Sequence, residues 1–547
     1  MKRLAYPALL LILLGLSQCN QPVPKTEPIN KKEDVDKYVS KLIRKQLEKT
    51  DSTTRKVIAR DSLVALLQIS KLYELFNFKP VWTFDGSLTP IGDSLFYLLK
   101  QADINGLVPE NYHVGKIDSL FKNASDSSKR IDAVKIADAE LLLTDGLFKF
   151  AVHLNKGRVN PDSLWPEWNI KRVKTNLVQF LSNVIKEKKL RLITDSLEPK
   201  NEQYQKLKSA LAYFRNEFKN SDWDSLPPIQ NDTVTFYKLL RQRLIASHFY
   251  DSTLVVSDDK KLEKALKKFQ LQHALNDDGK IGKATYAALC LSKEQEIRQI
   301  EMNMERWRWK TSPAKRYAWV NIPSYKLKVI DDDTLYLEAK VITGSITHHT
   351  PLLQSSITYF IIYPYWNVPY KIASEEILPR IKWDTAYLHK NNFDVLDWNN
   401  KVVDPKTIKW SKYNKTNLPY KFRQQEGGDN SLGVIKFMFN NPFGVYLHDT
   451  NSKKLFGKEI RALSHGCVRM ENPWALADYL IKDDKHYTTD SLFTYFEKEQ
   501  KKTIPLHKPL SLYINYFTAE VDEDGKLFFY TDIYELDKKM VRNIYNR

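Results

Sequence analysis

Apolar residues recur at intervals of three and four through a long stretch at the start of the chain. Leu143, Leu147 and Phe148 are one such set, and similar sets appear from about residue 35 to about residue 250. Spacing of this kind places apolar side chains on one face of an α-helix. The pattern predicts a helical scaffold domain, which we place at residues 35–256.

A shorter helical pattern follows at residues 257–292. Leu262 and Phe269 fall on one helical face, Asp278-Gly279 predicts a turn, and Thr285 stands near the start of a second helix. The helix, the DGKIG turn and the second helix together resemble a peptidoglycan-binding module. A generic helical hairpin is the alternative.

The apolar period then changes from three or four to two. Residues 335–341 and 357–362 alternate as strands do. We predict a mainly β domain at residues 300–495, followed by a C-terminal β extension at residues 496–547. A Lys- and Asn-rich stretch at residues 371–425 interrupts the strands and is too long for a plain loop, so it is predicted to be an inserted helical lid.

The N-terminus has the pattern of an export signal. Met1-Lys2-Arg3 precedes an apolar run at residues 8–16, which is too short to cross a bilayer that needs about 20 apolar residues. The run ends in Leu16-Ser17-Gln18-Cys19, which resembles the lipobox of bacterial lipoproteins. Residues 1–19 are therefore predicted to be a lipoprotein signal peptide with Cys19 as the lipidation site, and residues 20–34 a tether; an ordinary cleaved signal is the alternative.

Composition narrows the classes of function. The chain has 547 residues and a formal charge of +18, which favours anionic partners such as cell-wall polymer or a membrane surface. The lysines are scattered and no nucleic-acid motif is present, so no nucleic-acid partner is expected. With 3 cysteines in total, an exported protein is not built on disulfides, and a lone Cys in a polar motif requires a chemical explanation.

That motif is Ser464-His465-Gly466-Cys467-Val468-Arg469, preceded by Tyr446-Leu447-His448-Asp449. Thiol catalysis needs a thiolate, and a nearby imidazole can accept the thiol proton and return it to a leaving amine. An active nucleophile of this kind is expected to have a thiol pKa below that of free Cys. Both His448 and His465 are candidate bases, and spacing alone does not choose between them.

The residues around the thiol suggest how a reacting carbonyl would be held. Gly466 permits a tight turn with φ > 0, so backbone amides near it can point at a developing oxyanion. Arg469 follows Cys467 by two residues and would share its side of a strand. Its guanidinium suits a peptide carboxylate.

The two motifs together resemble the active-site signature of the L,D-transpeptidases of the YkuD fold. The resemblance implies that Cys467 is the nucleophile, His448 the general base, and His465 a structural residue on the oxyanion side. It also implies that the carbonyl of Asp449 orients the base. Zinc ligation by His448, His465 and Cys467 is the rival interpretation, but the spacing fits no common zinc pattern and no fourth ligand is evident, so neither a metal nor a cofactor is expected.

Further segments resemble the large, multidomain YcbB-type branch of that family. They include Trp366-Asn367-Val368-Pro369 and Asn430-Ser431-Leu432-Gly433. The branch implies that Trp366 and Tyr446 line the substrate cleft; we also place Arg469, Ser464 and Asp449 among the substrate-binding residues. The predicted fold class is thus multidomain α+β: a helical scaffold, a peptidoglycan-binding-like module and a mainly β YkuD-type domain.

The implied reaction is 3-3 cross-linking of peptidoglycan through a cysteine thioester, with D-Ala leaving a tetrapeptide stem. The implied partners are stem peptides, glycan strands and, through the lipid anchor, a membrane; the protein is expected to be an exported, periplasmic monomer. Two alternatives stay open. Water in place of the acceptor amine would give a carboxypeptidase or endopeptidase, and a vestigial site would leave a wall-binding lipoprotein.

Overall fold

The computed structural model describes residues 35–48, 50, 56–59, 61–124, 132–164, 176–223, 226–227, 233–251, 259–309 and 313–545. The predicted signal peptide, Cys19 and the tether lie outside these residues. Within them, no helix has both the length and the apolar character that crossing a bilayer would require. The described chain divides into two compact units.

The first unit is formed by the described residues up to 100 together with 109–149 and 178–190. It is helical, as the three-and-four spacing predicts. Its elements are α1 (Val35–Leu47), β1 (Lys56–Ile58), β2 (Asp61–Leu63), α2 (Leu66–Leu75), β3 (Thr83–Phe84), β4 (Ser87–Leu88), α3 (Pro90–Lys100), α4 (Val114–Ala124), most of α5 (Ala133–Lys156) and α7 (Leu177–Lys186). The short helix α6 (Pro161–Leu164) belongs to the second unit.

A buried carboxylate organises this unit. Glu140 on α5 accepts hydrogen bonds from the backbone amides of Trp82 and Thr83 at 2.8 and 2.6 Å, and from the Tyr73 hydroxyl at 2.6 Å. Burial raises the pKa of Glu140. Several donors on one buried carboxylate explain why the short β3–β4 hairpin is held against the helix.

The second unit contains residues 101–108, 150–177 and 191–547, where these are described. Its N-terminal helices are α8 (Arg191–Leu197), α9 (Glu202–Glu217), α10 (Thr233–Ala246), α11 (Asp259–Gln272), α12 (Lys283–Leu289) and α13 (Lys293–Arg308). Tyr204, Leu207 and Leu211 of α9 share a core with Trp307 and Phe517. Residues 35–256, predicted as a scaffold domain, thus contribute to both compact units, because periodicity shows which helix face is apolar but not what that face packs against.

Helices α10, α11 and α12 share a smaller core. Phe236 and Leu240 of α10 pack with Leu262 and Phe269 of α11 and with Leu289 of α12. The core of the module predicted at 257–292 therefore also includes α10, the helix that precedes it in the chain. In its turn, Gln270 accepts the Gly279 amide hydrogen bond at 2.8 Å and donates to the Lys280 carbonyl at 2.9 Å.

The remainder of the unit is built on one large sheet. Its strands are β5 (Arg316–Asn321), β6 (Lys326–Asp331), β7 (Thr334–Gly344), β8 (Leu353–Ile362), β13 (Ile435–Phe439), β14 (Leu447–His448), β15 (Ala462–Ser464), β16 (Val468–Met470) and β17 (Lys502–Asn515), with β9 to β12 in the insertion described below. They lie in the order β15-β7-β16-β14-β13-β8-β17-β5-β6, and β6 also pairs with β7, so the sheet closes on itself. The mainly β fold predicted from the period of two is confirmed.

Strand β17 lies in the interior of this sheet, between β8 and β5. It begins after residue 495, where the sequence places the end of the catalytic domain, so the predicted C-terminal extension contributes to the same fold. The helices α17 (Pro473–Ile481) and α18 (Thr489–Glu497) precede it, and β18 (Ala519–Val521), β19 (Leu527–Phe529) and α19 (Leu536–Tyr545) follow it. The Tyr534 hydroxyl donates to the Gly344 carbonyl at 2.6 Å. Sequence alternation identifies a strand but not its neighbours, which explains the displaced boundary.

The insertion has its own core, which includes Ile381, Val395 and Phe422. It combines the helices α14 (Tyr370–Ile372), α15 (Leu378–Trp383) and α16 (Ala386–Lys390) with strands β9 (Trp366–Asn367), β10 (Phe393–Leu396), β11 (Val402–Val403) and β12 (Lys421–Gln424) in the order β11-β10-β12-β9. The sequence predicts only the helices. Strands of two to four residues are too short to show an alternating pattern.

Candidate active site

Three neighbouring strands bring the polar residues of the two motifs onto one face of the sheet. Lys436 on β13 is in register with His448 on β14, and His448 is in register with Arg469 on β16. Because alternate residues of a strand face opposite sides, these three side chains form a row. The intervening residues Phe437, Leu447 and Val468 belong to the buried core.

Cys467 and Tyr446 form a second row beside the first. Each precedes a member of the first row by two residues, and the Val468 amide donates to the Tyr446 carbonyl at 3.1 Å. The Tyr446 hydroxyl interacts with the Cys467 thiol and with the side chain of Trp366 on β9. Cys467 is a free thiol and half-buried. The structure therefore brings Cys467, His448, Tyr446, Arg469 and Trp366 together.

The thiol is subject to opposing influences. Burial raises the pKa of Cys467, while the backbone and hydroxyl of Tyr446 and the positive charges of Lys436 and Arg469 lower it. The net effect is a raised pKa, because the free energy of removing a thiolate from water exceeds the stabilisation that these neighbours give it. The expectation of a lowered thiol pKa is therefore wrong for the unliganded site.

The imidazole beside it is neutral at ordinary pH. His448 is 4% exposed. Burial, with the charge of Arg469, lowers the pKa of His448 to about 3, and the backbone of Asp449 opposes that shift. Within the described residues, the buried His448 Nδ1 has no hydrogen-bond partner. A neutral ring can accept a proton, as a general base must, and the backbone at Asp449 and Leu432 favours the protonated form.

The turn between β15 and β16 is held by Ser464. Gly466 has φ of 111°; its amide donates to the Ser464 hydroxyl at 3.2 Å, and that hydroxyl donates to the Cys467 carbonyl at 2.5 Å. Ser464 is 3% exposed, and these two hydrogen bonds let it support the turn, while its contact with a substrate stays a prediction. Because the Gly466 amide already donates to Ser464, the backbone amides of His465 and Cys467 are the candidate hydrogen-bond donors to an oxyanion.

The side chain of His465 contacts the insertion. Its Nε2 lies 2.6 Å from the Glu376 carboxylate, and both side chains are about two-fifths exposed, at 38% and 40%. Glu376 belongs to a π-helical segment, Ala373–Ile377, and such segments are frequent at functional sites. The contact joins the insertion to the turn that carries Cys467.

Asp449 fixes the backbone that directly follows His448. Its carboxylate accepts the Val434 amide at 3.0 Å and pairs with Lys453. Gly433 has φ of 60°, and a Cβ there would lie 2.3 Å from the Asp449 carboxylate. This buried side chain is fully used in fixing the loop, so the substrate-binding role that the sequence predicts for it is not supported by its contacts.

Lys436 is the site residue that the motifs do not reveal. It is the charged member of an otherwise apolar strand, Ile-Lys-Phe-Met-Phe, whose burial alternates. A single charge on the outer face of an alternating strand is normally a solvated side chain, so the sequence offers only a weak signal. The register with His448, which no sequence pattern gives, shows where it lies.

Arg469 is half-buried, and its side chain lies on the same face of the sheet as those of His448 and Lys436. Burial lowers its pKa, and the Cys467 thiol opposes that shift. Among the described residues, no carboxylate forms an ion pair with it. In those same ranges, no group of three or more His, Cys, Asp and Glu side chains is placed to hold a metal ion.

Comparison with protein families identifies three matching segments. Residues 315–487 match an L,D-transpeptidase catalytic domain of the YkuD family, residues 235–289 match a putative peptidoglycan-binding domain, and residues 67–211 match a scaffold domain. The second match begins within α10, one of the three helices that share the smaller core.

A curated relative is a putative L,D-transpeptidase of Haemophilus influenzae. It is 35% identical over 250 residues, which is 46% of this chain and 50% of the relative, so the match spans half of the relative's length. A crystal structure of an L,D-transpeptidase from Stackebrandtia nassauensis matches at 15% identity and a TM-score of 0.20, over 54% of this chain and 98% of that one. The Ldtfm–avibactam carbamoyl enzyme matches at 11% identity and a TM-score of 0.17, over 56% and 98%.

Proposed function

Because residues 315–487 match an L,D-transpeptidase catalytic domain of the YkuD family, we propose that the protein cross-links peptidoglycan as a cysteine acyltransferase. The observation that carries the proposal is the pair of rows on β13, β14 and β16. They place the Cys467 thiol beside Tyr446, and a neutral, buried His448 beside Arg469. This set of groups is what acyl transfer through a thioester requires.

The reaction begins when Cys467 loses its proton to His448. The sulfur attacks the carbonyl between the L-centre of the diamino acid and the terminal D-Ala of a tetrapeptide stem, so a C–S bond forms. The C–N bond then breaks, and the D-Ala amine leaves with the proton that His448 held. The amine of a neighbouring stem next attacks the thioester, which gives the 3-3 cross-link and restores the thiol.

The surrounding residues hold the donor stem in this proposal. Arg469, half-buried and without a carboxylate partner among the described residues, binds a carboxylate of the stem. The amides of His465 and Cys467 donate to the oxyanion. Trp366 and Tyr446, whose side chains interact, line the cleft, and Gly466 gives the turn its shape.

The other parts of the chain keep the enzyme at its substrate. A lipid on Cys19 would anchor the exported protein at the periplasmic face of a membrane, and the module at 235–289 would bind the wall. Tethering of this kind raises the effective concentration of a catalytic domain at a fixed polymer. We propose that the protein acts as a monomer and without a cofactor or nucleic-acid partner.

The nucleophile can be tested with a carbapenem, which acylates cysteine enzymes of this class. The full chain is incubated with the drug and its mass is measured; wild type and a Cys290→Ala control should each gain one adduct. Cys290 lies at the edge of the helical core, with its sulfur 3.6 Å from the Leu226 carbonyl. Cys467→Ala should gain none, and an adduct that persists there would refute the assignment.

The acceptor is tested separately. Purified tetrapeptide muropeptides are incubated with the enzyme and analysed by mass spectrometry. Cross-linking predicts dimers and free D-Ala in equal amounts, whereas release of D-Ala with no dimer would show that water is the acceptor and that the protein is a carboxypeptidase.

A further inference from the structure

Lys436 occupies a position on the catalytic face that no motif explains. It sits between Ile435 and Phe437, both fully buried, and in register it faces His448 on one neighbouring strand and Ile361 on the other. An ammonium at such a place is partly desolvated, which is unfavourable unless a negative charge compensates for it.

The surroundings of this ammonium contain one group that can become negative in the catalytic reaction. Its Nζ lies 3.7 Å from the centroid of the Tyr446 ring, and the hydroxyl of that ring interacts with the Cys467 thiol. Among the described residues no Asp or Glu forms an ion pair with Lys436. The titratable or charged neighbours of the thiol are Tyr446 just before β14, His448 on β14 and Arg469 on β16. On β8, the register partner of Lys436 is the apolar Ile361.

Two electrostatic effects agree with that geometry. Burial lowers the pKa of Lys436, and the charge of Cys467 raises it again. Conversely, Lys436 is among the groups that lower the pKa of the thiol. His448 has a pKa of about 3, so the ring is neutral near pH 7 and supplies no positive charge to a resting thiolate.

We propose that Lys436 is a positioning residue of the reaction, whose ammonium acts through its charge on the Cys467 sulfur and favours the thiolate before the donor stem binds. The inference rests on the proposed role of Cys467 as nucleophile. Lys436 touches no reacting atom in this arrangement. Because the buried His448 is neutral until it takes the thiol proton, Lys436 supplies a positive charge that is already present before that transfer.

The test measures the ionisation of Cys467 directly and needs no peptidoglycan. The full chain is alkylated with iodoacetamide between pH 5 and pH 10, and mass spectrometry of the Cys467 peptide gives the rate at each pH. Lys436→Met should raise the pKa of the thiol by about one unit, and the measured consequence is an alkylation rate near pH 7 that is about tenfold lower than in wild type. Lys436→Arg keeps the charge and should stay within about threefold of wild type.

Controls separate charge from folding. Lys328→Met removes a lysine of the same sheet, which already pairs with Glu338 at 3.7 Å, and should leave the profile unchanged. Lys436→Gln is a second neutral variant for the case in which the Met variant fails to fold. A neutral variant that titrates like wild type, or an Arg variant shifted as far as the neutral ones, would overturn the inference. A normal titration in an enzyme that forms no cross-link would count against the proposed function alone.

Discussion

At the scale of single residues, the site depends on one buried imidazole staying neutral. The pKa of His448 is lowered from 6.5 to about 3, mainly by burial. Below pH 6.5 the unfolded chain takes up a proton at this residue, while the folded chain resists it until about pH 3. Its contribution to stability is therefore complete above pH 6.5 and is lost as pH falls, at up to about 1.4 kcal/mol per pH unit.

This linkage predicts a difference in thermal unfolding. Between pH 7 and pH 4.5 the midpoint temperature of unfolding should fall more steeply for wild type than for His448→Asn, because the variant has no titrating group at position 448. His389→Asn, at an exposed position on α16, should follow the wild-type slope. Parallel slopes for wild type and His448→Asn would show that the ring is not held neutral by the fold.

Residues two apart in a strand share a face, so the sequence correctly places Arg469 on the side of Cys467. It cannot reveal that Lys436 joins them, because that depends on the pairing of three strands that are separated in the chain. It also assigns Ser464 and Asp449 to the substrate, whereas both are buried and bonded to their own loop. Local sequence shows which side chains are polar, but not how tertiary contacts use them.

At the scale of elements, the contact between the insertion and the Cys467 turn is the feature with the clearest consequence. The His465–Glu376 pair joins two segments whose backbones are otherwise governed by different cores. Because both side chains are partly exposed, the pair is worth about 0.2–1 kcal/mol. An interaction of that size changes a local opening equilibrium by up to about fivefold without affecting the global fold.

Glu376→Gln should therefore increase amide hydrogen exchange in the segment Ala373–Ile377 and in the Ser464–Cys467 turn, by up to about fivefold, at pH 6. Glu375→Gln is the matched control, because it removes the same charge one residue earlier at an exposed position. Exchange in the distant strand β5 should be unchanged in both variants. Equal exchange in wild type and Glu376→Gln would mean that the insertion is held by its other contacts.

The insertion also shows where element prediction from sequence ends. Its helical character is predicted from the sequence, but β9 and β11 have two residues each and acquire their structure from pairing with β12 and β10. The same holds for β17, whose alternation is visible in the sequence while its place between β8 and β5 is not. The period of apolar residues identifies a strand, but the neighbours of that strand are determined by pairing with distant parts of the chain.

At the scale of the whole molecule, the chain combines a catalytic sheet with helices whose apolar faces pack on it and with a wall-binding-like module. The backbone amide of Asn276 in that module donates to Glu459 at 2.9 Å, in the loop between His448 and Ser464. The module and the catalytic loop therefore touch within one compact unit. If the module binds the wall, the reacting face is held close to the same polymer.

Wall binding and chemistry should then be separable by one substitution. Cys467→Ala changes no contact of the module, so it should sediment with isolated sacculi as wild type does, to within about twofold, while forming no new muropeptide dimers. The formal charge of +18 favours an anionic wall, and salt shortens the range of that attraction, so raising salt from 50 to 500 mM should release part of both proteins equally. If Cys467→Ala alone fails to sediment, retention of wild type comes from acyl-enzyme trapped on the polymer, and the module has no independent affinity for it.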